Sequence, residues 1–90
     1  MLNFQTTTQY RKDRKQMIKR GLPMYLLDEV LQTLLKEKQL DLKHRDHALT
    51  GNYAGLRECH IKPDWLLIYA VDKGNLILTA TRTGSHSDLL

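Results

Sequence analysis

Apolar and polar residues alternate from Leu2 to Gln5, which predicts a short first strand. The following "TTTQ" offers Thr6 and Gln9 as a capping box, after which the spacing becomes helical. A helix is predicted over about Thr8 to Arg20, with Tyr10, Met17 and Ile18 facing inward and Gly21 as its C-terminal stop. A second is predicted from Pro23, whose fixed φ and missing N–H suit a first helical position, to about Lys38. Leu27, Val30, Leu31, Leu34 and Leu35 form its apolar seam, while Asp28 and Glu29 early and Lys36 and Lys38 late complement the helix dipole. The two helices are expected to form an antiparallel pair.

From Asp41 to Gly55 the periodicity breaks into a polar, glycine-containing connection too long for a simple turn, and loops of that length often carry function. Three strands are predicted beyond it, about Leu56 to Ile61, Trp65 to Val71 and Leu76 to Thr83, with "DKGN" as the hairpin turn between the last two. The middle strand is apolar on both faces, as a strand flanked by neighbours and covered by helices should be. One strand, two helices and a three-stranded antiparallel meander predict an α+β domain: a small mixed β-sheet with both N-terminal helices packed on one face. Ninety residues suffice for one domain, residues 1–90, and no second.

Composition then narrows the partner. A net charge of +4 and a pI near 9.4 favour a polyanionic or acidic one. Six cations and one acid lie between Arg11 and Arg20, and Arg11, Lys15 and Lys19 fall on one stripe suited to tracking RNA phosphates. A single cysteine and the lack of any apolar run approaching about 18 residues fit a reduced, cytoplasmic protein with no membrane partner.

Four histidines, His44, His47, His60 and His86, fall in loops or at strand ends, where sheet topology can bring them to one edge. Zinc is disfavoured, because Cys59 and His60 are adjacent on a strand and point to opposite faces; Cys59 reads as a small buried hydrophobe and no metal or cofactor is expected. Acid–base cleavage of RNA suits the inventory better. It needs a base for the 2′-hydroxyl, an acid for the leaving 5′-oxygen and cations for the phosphorane, and histidine titrates in the useful range. Asp64 can orient an imidazole or act as base, and Arg57 or Arg82 can clamp a phosphate. Trp65 suits either base stacking or the core. In a regular strand Arg57 faces away from His60, so Arg82 is the stronger phosphate ligand.

"DHALTG", "LRECHIKPDWLLIY" and "RTGSHSDLL", in that order, resemble the YafQ branch of the RelE-like toxins, the mRNA-cleaving halves of bacterial type II toxin–antitoxin pairs. The resemblance spans the chain. It implies a RelE-like fold, ribosome-dependent cleavage of translated mRNA, and neutralisation by a cognate acidic antitoxin, with DNA met only through the toxin–antitoxin complex. Carried over by position, His47, His60, Asp64 and His86 are the catalytic group, and Trp65 and Arg82 contact substrate. His86 is then the favoured acid, Asp64 and His60 are alternatives for the base, and His47 assists at the phosphate. Pro63 fixes the turn that presents His60 and Asp64 together. His44 matches no family position and reads as a surface residue. The tail is Leu89-Leu90 where some relatives carry an aromatic, leaving Trp65 and Tyr53 as the nearby aromatics. A non-catalytic RNA- or ribosome-binding protein and an inactive toxin-like antitoxin partner are the alternative classes.

Overall fold

The computed structural model describes residues 1–89. Strands β1 (Asn3–Thr6), β2 (His47–Ala48), β3 (Arg57–Lys62), β4 (Trp65–Asp72) and β5 (Ile77–Gly84) make one sheet in the order β1-β5-β4-β3-β2. β1 lies parallel to β5 and every other pairing is antiparallel, so the expected meander is β3–β4–β5 within a mixed sheet. Helices α1 (Thr8–Lys19) and α2 (Met24–Leu35) follow β1, and a single turn, α3 (His86–Leu89), follows β5.

Alternation along the strands separates a core face from a second face. Trp65, Leu67 and Tyr69 of β4 join Cys59 and Ile61 of β3 and Leu78 and Ala80 of β5 against Tyr10, Met17 and the α2 seam. Leu27 is fully buried there, and burying a side chain of that size is worth about 1.5–3 kcal/mol. Leu66 and Ile68 are buried from the opposite side, which explains the unbroken apolar run of β4. That opposite side carries Glu58 and His60.

Several boundaries differ from expectation. The cap of α1 is Thr7, whose hydroxyl accepts the Tyr10 N–H at 2.9 Å; Thr6 is held in β1 by its pairing with Ala80. Ile18 is 47% exposed, and the inward position between Tyr10 and Met17 belongs to Asp13. Pro23 caps α2 rather than opening it, and that helix stops at Leu35, leaving Lys36 and Lys38 outside its last turn. Glu37 there is left-handed at φ 57°, with the Lys38 N–H on the Thr33 carbonyl and the Glu37 N–H on that of Leu34. Gly21, at φ 77°, ends α1 by the same pair of bonds, as expected of it. The connection from Asp41 to Gly55 contains two 3₁₀ turns (Leu42–His44 and Gly51–Tyr53) and the two-residue β2.

Candidate active site

β3 places Glu58 and His60 two residues apart on the face away from the helices, and β2 lies directly opposite with His47 paired to Glu58. The turn Pro63–Asp64 and α3 close the other side. There His86 donates both its backbone N–H (3.0 Å) and its Nδ1–H (2.6 Å) to one oxygen of Asp64. Those backbone and side-chain bonds hold the Asp64 carboxyl below the usual carboxylate range. The rings of His60 and His86 lie 5.7 Å apart between centroids, and the Nε2 atoms of His60 and His47 stand 3.7 and 3.8 Å from Glu58 Oε1.

The tautomers follow from the acceptors. His60 Nδ1 faces the Pro63 carbonyl (3.2 Å), His47 Nδ1 the Arg45 carbonyl (2.7 Å), and His86 Nδ1 a carboxylate. None of these oxygens has a proton to give, so each Nδ1 carries the hydrogen and each Nε2 is left to exchange one. His60 is mostly enclosed, at 14% side-chain exposure, whereas His47 and His86 are half open to solvent. His86 is further secured by its own turn. Asp88 accepts from the backbone and hydroxyl of Ser85 while taking a two-pronged contact from Arg20 (2.6 and 2.8 Å), which drives its carboxyl far below the ordinary range. A side chain on Gly84 would meet Asp88 at 2.9 Å, so this close approach requires glycine.

His47, His60, Asp64 and His86 thus converge, and other candidates do not. Trp65 is 2% exposed and donates Nε1–H to Thr83 Oγ1 at 2.9 Å, so it is a core residue with no ring face for a nucleobase. Arg57 points to the helix side and bonds Asp46 at 3.2 Å; Asp46 also accepts from Tyr69, whose hydroxyl is pushed up mainly by burial. Arg82 lies on the cross-strand row of Ile68 and Glu58 but bends over the β5 edge to Asp13 (Nε 2.7 Å, Nη2 3.3 Å). Arg11 is tied to Thr6 and Thr8, while Lys15 and Lys19 are exposed on α1. Burial pushes the Cys59 thiol up to about 12, as befits a core residue. Tyr53 is 58% exposed; Leu89 ends α3, and Leu90 lies outside the described residues.

Two participants were not anticipated. Glu58 sits between two imidazoles, a placement implied by its spacing of two from His60 in a strand. His44, expected on the surface, is half-buried with Nδ1 2.7 Å from the His60 carbonyl. Among the described residues, no group of three or more His, Cys, Asp or Glu side chains is arranged to hold a metal ion.

A five-stranded mixed sheet with two helices on one face matches the solved YafQ structures and is consistent with the small RelE-like toxins. The family model described as "Bacterial toxin of type II toxin-antitoxin system, YafQ" matches residues 2–90, and the chain belongs to that family. The mRNA interferase toxin YafQ of Escherichia coli K12 is 43% identical over 84 residues, covering 90% of this chain and 87% of the relative. The crystal structure of a metal-bound toxin from Helicobacter pylori superposes with a TM-score of 0.94 at 41% identity, covering 100% of both chains. YafQ in the E. coli DinJ–YafQ complex gives 0.91 at 31% identity, covering 100% of this chain and 99% of that one.

Proposed function

We propose that the protein is an endoribonuclease that cuts mRNA under translation on the ribosome, by attack of the RNA's own 2′-hydroxyl on the adjacent phosphate. The observation that carries this reading is the pairing of His86 with Asp64, which leaves His86 Nε2 free beside the His60 ring. His60 Nε2 takes the 2′-hydroxyl proton, the 2′-oxygen bonds to phosphorus, and the P–O5′ bond breaks as protonated His86 gives its proton to the 5′-oxygen. The products are a 2′,3′-cyclic phosphate and a 5′-hydroxyl. Asp64 is assigned to orienting His86 rather than to the base role, because the oxygen it presents already accepts two N–H bonds. His47 faces the phosphate from β2, and Arg82, with its Asp13-bound guanidinium, contributes positive potential rather than a free clamp. The proton transfers use side chains alone and need no metal at the phosphate.

Two features support the partners. The E. coli relative carries the name mRNA interferase, and another structure of YafQ is of its complex with DinJ. A basic surface at net +4 suits both an RNA backbone and a cognate acidic antitoxin, and ribosomal work places the protein in the cytoplasm. The test is single-turnover cleavage of ribosome-bound and free mRNA, with and without EDTA, followed by end-group analysis. Expected are 5′-hydroxyl ends, dependence on the ribosome, indifference to EDTA, and a loss on the order of 10²–10⁴-fold for His86→Ala. Cutting of a substrate with 2′-deoxyribose at the scission site, or 5′-phosphate ends, would overturn the mechanism.

A further inference from the structure

β2 covers only Arg57 and Glu58 along the outer edge of β3. Beyond them the register of β3 against β4 slips between His60 and Lys62, at the point where the strand delivers its histidine. A bulge re-aims the side chain that its strand carries, so whatever holds the backbone there sets where the His60 ring points. The His60 carbonyl is held from outside the sheet, by the 2.7 Å bond from His44 Nδ1–H. His44 is itself rigidly presented. Its 3₁₀ turn is capped by Asp41, whose carboxylate accepts the Lys43 N–H at 3.0 Å, and is closed by Arg45 in the left-handed region at φ 49°. The Arg45 carbonyl then orients His47, so one short segment fixes both neighbours of Glu58.

We propose that His44 is a positioning residue. Its N–H holds the backbone of His60 so that the His60 ring keeps its bond to Pro63 and presents Nε2 to the substrate. This rests on the assignment of His60 as the base. A misplaced proton-transfer group costs rate without loosening substrate binding, so removal of the N–H should lower the cleavage rate roughly 10–10²-fold at unchanged half-saturating RNA.

Three measurements decide it. Long-range ¹H–¹⁵N spectra of the wild-type protein, recorded above the range where imidazoles titrate, should show His44 as the Nδ1–H tautomer; the Nε2–H tautomer overturns the proposal whatever any variant does. His44→Phe keeps a ring without the donor, and its His60 signals should drift from pure Nδ1–H toward a mixture while single-turnover cleavage slows. His44→Asn keeps an N–H near the Nδ1 position and should restore most of both. A His44→Phe protein with wild-type rate, or with the His60 tautomer unmoved, overturns the proposal, as does a His44→Asn protein no better than it. His60→Ala in parallel separates the two levels: if it cuts at the wild-type rate, the base assignment fails, while the tautomer spectra still report whether His44 holds His60.

Discussion

Replacing Asp13 by alanine is expected to unfasten the strand that leads to His86. Asp13 is 9% exposed on the inner side of α1, and its carboxylate takes the Thr83 N–H at 3.2 Å along with the Arg82 bonds. β1 pairs with β5 only as far as Ala80, so beyond that point the carboxylate serves β5 as a substitute neighbour. In the variant the Thr83 N–H faces an empty space on a fully buried residue, and an unsatisfied buried donor costs about 1–3 kcal/mol. Arg82 is 34% exposed on its side chain and re-enters water, so its share of the loss is about 0–1 kcal/mol. Together these amount to roughly 1–4 kcal/mol, or a fall in Tm of about 4–30 °C for a domain of this size. Arg82→Ala, which leaves the Thr83 bond intact, should shift Tm by no more than about 8 °C. Thermal melts followed by circular dichroism read both numbers. An Asp13→Ala protein melting within about 3 °C of wild type would refute the assignment of Asp13 as the substitute edge.

Trp65→Phe should cost about 1–3 kcal/mol through the lost indole bond and the smaller ring, yet leave RNA affinity unchanged; weakened RNA binding by a folded Trp65→Phe protein would restore the stacking role. Changing Arg11, Lys15 and Lys19 together to Gln should weaken ribosome binding and flatten its salt dependence, with folding preserved, and unaltered binding would mark the stripe as solvated surface only. Acid should loosen α3 ahead of the core. The Asp64 and Asp88 carboxyls are both depressed by bonds made only when folded, so their stabilisation is full above the ordinary carboxylate pKa of about 3.9 and is lost as pH falls through their lower folded values. Amide shifts of Ser85 and His86 that already titrate at or above pH ~4 would contradict this.

The sequence was most legible where burial is periodic. The α2 seam and the alternation through β3, β4 and β5 are written as spacings of three to four and of two, and the sheet follows from them. β2 was not legible, since two exposed residues carry no period. α3 is encoded only by Ser85 and Asp88, the reciprocal ends of a capping box one turn long, with no apolar period behind it. Asp13 reads as a surface acid because its partners lie 69 and 70 residues away, and no local pattern encodes such a bond. Trp65 illustrates a real degeneracy, for a tryptophan opening an apolar strand fits the core and a binding cleft equally well until Thr83 is seen to meet its N–H. The convergence of His47, His60, Asp64 and His86 rested on family motifs, because strand order, not spacing, brings them together.

Three of the four imidazoles take their orientation from main-chain carbonyls, those of Arg45, His60 and Pro63. A carbonyl belongs to every residue type, so these instructions survive substitution of the side chains that deliver them, provided the backbone angles persist. Arg45 should accept Asn or Gly, which tolerate its left-handed φ, and resist Val or Ile, which do not. Position 45 is therefore constrained in backbone shape and unconstrained in charge, a requirement that no side-chain contact reveals.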